Sequence, residues 1–426
     1  MENPVHPTDT ALSISSRFDW SYQSIIRRML APLQQGTLRV TFPNGTTEQF
    51  GNGGPTPAAH IRINTEAFYR KIILSGDIGL GESYVDGDWD TDSVVEVIAW
   101  FIHNLENTPT ASGSRRRFSL GNLLKFVNRW QHNLRHNNEI GARRNIHEHY
   151  DLSNDFFRIF LDEGMAYSSA FFSRSEDSLE TAQTEKFDRL CRKLQLQATD
   201  KLLEIGSGWG GMALHAARHY GCRVYSITIS QEQLQYAQAR ALAAGLNDRV
   251  KFELCDYRHV TGQFDKIVSI EMLEAVGHRY FKAFFAKCHE VLKHDGLLGL
   301  QVITCPDARY DEYRNSVDWI QKHIFPGGLL PSLMALQQAI NATGDLQLHH
   351  LEDMGLHYAR TLQLWRQKLN RNSHQVAALG FDERFLRKWN YYLGYCEAAF
   401  QTRNVSVVQA VYTRPNNLAL RESLNL

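Results

Sequence analysis

The sequence carries no excess charge of either sign: 46 Lys and Arg stand against 46 Asp and Glu. No global field therefore draws it to nucleic acid. It also lacks an apolar run of membrane-spanning length, about 18 residues. The nearest candidate, residues 94–102, is short and contains Glu96. None of its six cysteines, Cys191, Cys222, Cys255, Cys288, Cys305 and Cys396, forms a Cys-x-x-Cys pair. Zinc and redox motifs are not expected, and small buried thiols are. The first ten residues are polar, with two prolines and no apolar core, so no signal peptide is read there. These absences lead to the expectation of a reduced, cytoplasmic protein. At 426 residues the chain suits two domains.

What is present falls into four stretches. Residues 1–15 read as a disordered tail. Residues 16–105 read as a small α+β domain. In it, Thr37–Phe42 and Thr47–Phe50 flank an Asn44-Gly45 turn, a hairpin signature. Helices are expected over 66–75 and 93–103. Residues 77–92, with five aspartates, read as a loop. Residues 106–144 form a basic linker. Phe118, Leu120, Leu123, Leu124, Val127, Trp130 and Leu134 fall on one helical face, and Lys125, Arg129 and Arg135 interleave with them. Such a helix suits an anionic membrane surface. It equally suits a linker docked on its own protein.

From residue 145 onward the pattern alternates strand and helix. Strands are expected over 201–206, 223–229, 250–255, 264–270 and 297–304. Helices are expected over 212–220, 231–244 and 279–293. Alternation at this spacing implies an α/β fold with a doubly wound, mostly parallel sheet.

The chemistry gathers at the ends of those strands. Glu204-Ile205-Gly206-Ser207-Gly208-Trp209-Gly210-Gly211 ends the first. No Gly-Lys-Ser/Thr follows, so this is not a phosphate-cradling loop. An acid beside bare glycine backbone is what an S-adenosylmethionine pocket requires: a carboxylate for the cationic amino acid end, and close main-chain approach. A tight strand–helix turn is the plain alternative. Thr228, Ser230 and Gln233 follow the second strand and could meet ribose hydroxyls, or Ser230 could simply cap the helix. Asp256 and Tyr257 follow the third, suited to an adenine edge and face, or to a surface turn. Glu271 and Glu274 follow the fourth. Two acids among apolar neighbours are hard to explain as solvated surface, and a buried carboxylate beside a sulfonium could stabilise developing positive charge. His147, Glu148, His149 and Asp151 lack metal-site spacing, so no metal is expected.

Taken together, these motifs resemble the cyclopropane-fatty-acyl-phospholipid synthase family, which includes the mycolic acid cyclopropane synthases. His149-Tyr150-Asp151-Leu152-Ser153-Asn154-Asp155 matches its HYDL-x-ND opening, and Tyr167-Ser168-Ser169-Ala170 matches its YSCA motif but for one residue. Glu204–Gly211 matches its cofactor loop and Ser269–Gly277 its carboxylate motif. Ile324–Pro331 and His357–Leu362 match further signatures. The resemblance covers roughly residues 145–415. It implies a class I S-adenosylmethionine methyltransferase fold, Rossmann-like, with the catalytic domain over 145–426 and a lipid-binding-like N-terminal domain.

It further implies transfer of a sulfonium methyl to a cis double bond of an unsaturated phospholipid acyl chain, giving a cyclopropane. Tyr167, Ser168, Glu204, Gly206, Gly208, Gly210, Thr228, Ser230, Gln233, Asp256 and Tyr257 fall to the cofactor. Glu274, Tyr358, Ser169 and Gln301 fall to catalysis. Family synthases hold a bicarbonate base between a Cys, a His, a Glu and a Tyr. Here Ser169 stands at the Cys position, Gln301 stands where many members have His, and Ala275 replaces a His common after the Glu. Bicarbonate binding is thereby placed in doubt. The alternative product is a methylene- or methyl-branched chain. The expected setting is the cytoplasmic face of a membrane, with peripheral attachment. A homodimer would suit work on a bilayer.

Overall fold

The structure, a computed structural model, describes residues 22–54, 57–105 and 153–420. The expected tail over 1–15, the basic stretch over 106–144 and the His147–Asp151 cluster lie outside the described residues. The chain divides into two compact units.

The first unit holds a four-stranded sheet of order β2-β1-β3-β4. β1 (Thr37–Thr41) and β2 (Thr47–Gly51) form the expected hairpin, with Thr41 opposite Thr47. β3 (Ala58–Ile63) runs parallel to β1 and pairs with the short β4 (Trp89–Asp90). Between them lies α1 (Ala67–Val85), kinked at Gly76, where φ is 58°. α2 (Val94–His103) begins at Ser93, whose hydroxyl accepts the Glu96 N–H at 3.2 Å. The loop expected over 77–92 is therefore wrong for its first half, which is helix. Its glycines serve packing: a Cβ on Gly79 would lie 2.0 Å from the Lys71 carbonyl, and one on Gly81 would strike the Trp319 and Tyr391 rings. The aspartates of its second half are ion-paired. Lys71 reaches Asp86 and Asp88 at 2.6 Å each, and Arg387 reaches Asp90 at 2.8 Å. Ser316–Trp319 and Asp382–Ala398 belong to this unit, whereas the sequence reading placed them in the catalytic domain.

The second unit opens with α3 (Asn154–Phe160) and α4 (Leu179–Lys193). Then follow β5 (Lys201–Ile205), α5 (Gly211–Tyr220), β6 (Arg223–Thr228), α6 (Gln231–Ala243), β7 (Val250–Leu254) and β8 (Phe264–Ile270). After them come α7 (Phe281–Val291), β9 (Leu292–Thr304), β10 (Gln347–Asp353), α8 (Gly355–Arg371) and β11 (Ser406–Thr413). The seven strands lie in the order β10-β11-β9-β8-β5-β6-β7. β11 pairs antiparallel with both neighbours, and all other pairings are parallel.

Successive strand side chains point to opposite faces. Adjacent Leu202 and Leu203 accordingly join different apolar cores, one packed with α4 and α5 and the other with α7. The strand order reverses between β5 and β8. Ligands of such sheets bind in the crevice outside the carboxyl ends of the strands at that point.

Candidate active site

Four strand ends and two helices supply the crevice. After β5 the chain turns through Gly206, Gly208 and Gly210, at φ 97°, 49° and 88°. The Gly206 and Ser207 amides both donate to the Ile227 carbonyl at 2.9 Å, tying the loop to β6. A Cβ on Gly206 would lie 3.2 Å from Met272, and one on Gly210 would lie 2.9 Å from Phe252. Side chains are thus excluded there by space and by backbone together. Gly208 faces open space. The loop is clamped from outside. Arg240 donates to the Trp209 and Gly164 carbonyls at 2.8 Å each, and Trp209 Nε1 donates to Asn154 Oδ1 at 2.7 Å.

Glu204 is 2 % exposed and accepts from the Ser226 hydroxyl. Burial pushes its carboxyl up to about 8, against the opposing pull of Ser226 and Lys186. After β6, Ser230 caps α6 by accepting the Gln233 N–H at 3.3 Å. The Gln233 side-chain carbonyl accepts from Thr228 at 3.0 Å. Its amide group is then the donor a ribose hydroxyl could use. After β7, Asp256 is committed to Arg258. Its two oxygens accept from Nε at 2.8 Å and from the terminal nitrogen at 2.7 Å, and Oδ1 also accepts the Arg258 N–H. Burial raises this carboxyl, but the Arg258 hydrogen bonds and charge outweigh it and hold the group below its ordinary range. Asp256 thereby caps the short turn over Tyr257–His259 while lying buried. The Tyr257 ring beside it packs edge-on against Phe284.

The opposite wall differs from expectation. Ser169, Gln301 and Tyr358 converge, but on Glu271, not on Glu274. Glu271 Oε1 accepts the Ser169 N–H and the Gln301 side-chain amide, both at 2.8 Å. The Tyr358 hydroxyl also bonds to this carboxylate. Glu271 adopts φ 49°, unusual for a residue with a Cβ, and its N–H is held by the Gln301 carbonyl at 2.7 Å. Such strain persists where surrounding contacts over-determine it, often at functional sites. Burial raises this carboxyl, while Gln301, Lys186, Ser169 and Tyr358 each pull it back.

Glu274 sits next to this cluster. Its Oε1 accepts the Ile303 N–H at 2.5 Å, and its buried Oε2 has no partner among the described residues. Burial and the neighbouring Glu271 charge push it up to about 8. The contacts therefore separate the pair: burial raises both carboxyls, but Glu271 collects three side-chain or main-chain donors, whereas one oxygen of Glu274 has no partner among the described residues. Spacing along the chain cannot tell two acids three residues apart, so this assignment came only from the contacts.

The YSCA-like segment links both walls. Ser168 accepts from Lys186 at 2.6 Å, the Ser169 hydroxyl donates to the Ala170 carbonyl, and the Ala170 N–H reaches Thr361. The Tyr167 ring packs against Phe157 and Trp365. Gln301 is oriented in turn by Gln409, whose amide donates to Gln301 Oε1 at 3.0 Å. The sequence reading assigned no role to Lys186, Thr361 or Gln409.

The glycine cradle and its flanking hydroxyls fit S-adenosylmethionine. Gly206, Gly208 and Gly210 present bare backbone, and the buried Ser207 hydroxyl has no partner among the described residues. Comparison with known proteins agrees. The profile described as mycolic acid cyclopropane synthetase matches residues 137–410, and a domain of unknown function matches 25–112. The chain is 37 % identical over 379 residues to the tuberculostearic acid methyltransferase UfaA1 of Mycobacterium tuberculosis, covering 87 % of this chain and 86 % of that protein. It is 34 % identical over 377 residues to the cyclopropane-fatty-acyl-phospholipid synthase of Escherichia coli, covering 86 % and 91 %. Among solved structures, the cyclopropane synthase MmaA2 of Mycobacterium tuberculosis superposes with a TM-score of 0.60 at 31 % identity, over 64 % of this chain and 98 % of that one. The mycolic acid cyclopropane synthase CmaA1, solved with S-adenosylhomocysteine and CTAB, gives 0.59 at 32 %, over 64 % and 98 %. The chain belongs to the mycolic acid cyclopropane synthetase family and is an S-adenosylmethionine-dependent methyltransferase.

Proposed function

We propose that the protein methylates a double bond of an unsaturated phospholipid acyl chain and yields a methylene-branched chain, the precursor of a methyl branch, in preference to a cyclopropane. One observation carries the choice of product: Glu271 takes the Ser169 amide, the Gln301 amide and the Tyr358 hydroxyl for itself. Donors that could cradle a bicarbonate are spent on the protein's own carboxylate.

The cofactor supplies an electrophilic methyl on its sulfonium, and the alkene carbon that accepts it leaves its former partner a carbocation. Glu271 and the face of Tyr358 stabilise that charge. Three hydrogen bonds occupy the oxygens of Glu271 and oppose the burial that raises it, so those oxygens are hindered as proton acceptors. Proton removal is then slow relative to rearrangement. A hydride moves from the methylated carbon to the cationic one, which converts a secondary cation into a tertiary one. Glu271 then takes a proton from the new methyl group. The electron pair of that C–H bond becomes the exocyclic C=C bond, and the carboxylic acid returns its proton to water. A fast base at the methyl group would instead close a ring.

Two further features support the substrate. The basic, aromatic-bearing stretch over 115–135 suits an anionic bilayer, so the reading includes peripheral attachment at the cytoplasmic face. A relative covering most of the chain is named for an acid methyltransferase and not for a ring. The test is mass spectrometry and proton NMR of fatty acids from a host expressing the protein. Acyl chains heavier by one CH2 group, with vinylidene proton signals, are expected. Upfield ring-methylene signals would overturn the product. Unaltered acyl chains would overturn the reaction.

A further inference from the structure

Helix α4 buries a stripe formed by Leu179, Ala182, Gln183, Lys186, Phe187, Leu190 and Cys191. Five of these are apolar or small, as a core-facing helix requires. Gln183 and Lys186 are not, and both are turned toward the segment that carries Ser168. Gln183 donates to the Ser168 carbonyl at 2.9 Å and to the Ala166 carbonyl at 3.3 Å. Lys186 is 0 % exposed, donates to the Ser168 hydroxyl at 2.6 Å, and lies 4.1 Å from the Phe187 ring centroid. Its own carbonyl accepts from Gln409, the residue that orients Gln301.

An unpaired buried ammonium is costly, and a Leu or Met would fill the same volume without that cost. The compensation is visible. Three carboxyl groups act on Lys186: Glu271 past β8, Asp162 past α3 and Glu204 in β5. Glu271 is itself faced by Lys186 from α4, Tyr358 from α8, Gln301 from β9, the Ser169 amide and neighbouring Glu274. Lys186 thus acts on both Glu204, beneath the glycine loop, and Glu271, in the reaction wall.

We propose that Lys186 is a positioning residue for methyl transfer: its ammonium fixes the Ser168 segment, whose Ser169 amide holds Glu271, and so favours the carboxylate form that proton removal needs. This rests on Glu271 as the base. Burial pushes Lys186 itself down to about 8, so it remains the ammonium at neutral pH.

The test pairs two substitutions at Lys186 with one at its partner. Lys186→Gln keeps hydrogen-bonding capacity and loses the charge. Its pH profile of turnover should show the acidic limb displaced upward by about one unit or more, with turnover near pH 7 down roughly 10-fold and partly regained at high pH. Lys186→Arg keeps the charge and should leave the limb in place. A role in packing alone would lower turnover at every pH alike.

A second readout needs no acyl transfer. Calorimetry of S-adenosylmethionine binding, in two buffers of different ionisation heat, counts the protons released. Without the ammonium the free cluster holds more protons, so Lys186→Gln should release more of them when the cationic ligand arrives. If the wild-type protein methylates no acyl chain, the proposed reaction fails and this proton count still decides the case of Lys186. An unmoved limb together with an unchanged count in Lys186→Gln would overturn the inference, as would an equal displacement in Lys186→Arg. Should Lys186→Gln fail to fold, Ser168→Ala decides. Removing the hydroxyl that orients the ammonium should move the limb and the proton count the same way by less, and no movement overturns the proposal.

Discussion

The two walls of the crevice are built from different materials. The wall formed by β5, β6 and β7 is mostly main chain: three glycines at positive φ, amides tied to the Ile227 carbonyl, and a capped helix. The wall formed by β8, β9 and α8 is mostly side chain: Glu271, Glu274, Gln301 and Tyr358, with Ser169 and Lys186 brought in from residues more than 80 positions earlier. Main-chain sites constrain which residues are allowed at each position and therefore leave a local pattern. Side-chain networks constrain which residues meet, and sequence neighbours do not reveal that.

The sharpest break between the walls comes from Glu271→Gln. It removes the base and should leave the cofactor cradle intact. Turnover should fall by roughly 10²–10⁴, the range of general-base loss, with S-adenosylmethionine affinity changed only a few-fold. Radiolabelled methyl transfer and calorimetry together measure this. A parallel loss of affinity would mean that the two walls are not separable.

The converse is Gly210→Ala. The new Cβ would meet Phe252 at 2.9 Å with φ at 88°. Left-handed backbone and overpacking together should cost about 2–4 kcal/mol. Thermal unfolding and cofactor titration should both register it, while turnover at saturating cofactor falls less. Unaltered cofactor affinity would show that the loop is only a turn.

The smallest effect is expected at Glu274. Its pKa of about 8 lies above the ordinary 4.5. Between those values the folded protein holds a proton that the unfolded chain has released. The stability from that proton is complete below about pH 4.5 and is lost as pH rises through about 8. Glu274→Gln mimics the protonated form. Turnover should fall less than about 10-fold near neutral pH, and the Tm advantage of the variant should grow from about pH 5 to about pH 8. An advantage that shrinks over that range would show Glu274 to be the charged member of the pair, and Glu271 the neutral one.

Much of the fold was legible because strands and helices of the parallel region repeat at regular spacing. β8 was read to the residue, and β5, β6, β7, α5 and α6 to within one or two. The misses have physical causes. The loop read over 77–92 overlooks the close packing at Gly79 and Gly81 inside α1. α4 escaped notice although its buried stripe recurs at helical spacing. Gln183 and Lys186 on that stripe were the available signal, since polar residues at core-facing positions ask for partners. β10 and β11 follow the irregular helical region, outside the regular strand–helix alternation.

By itself the sequence determined the glycine loop after β5, because positive φ and close backbone approach admit little besides glycine, and that restriction is written at neighbouring positions. It also determined that two acids lie at the end of β8. Which of them gathers the hydrogen-bond donors was decided only by tertiary structure. Ser169, Gln301, Tyr358 and Lys186 come from four separate elements, and their donors and charges meet at Glu271, while Glu274 has only main-chain amides and an Oε2 without a partner among the described residues. A carboxyl's ionisation follows the field and the hydrogen bonds around it, and those exist only once the sheet has closed the distance between them.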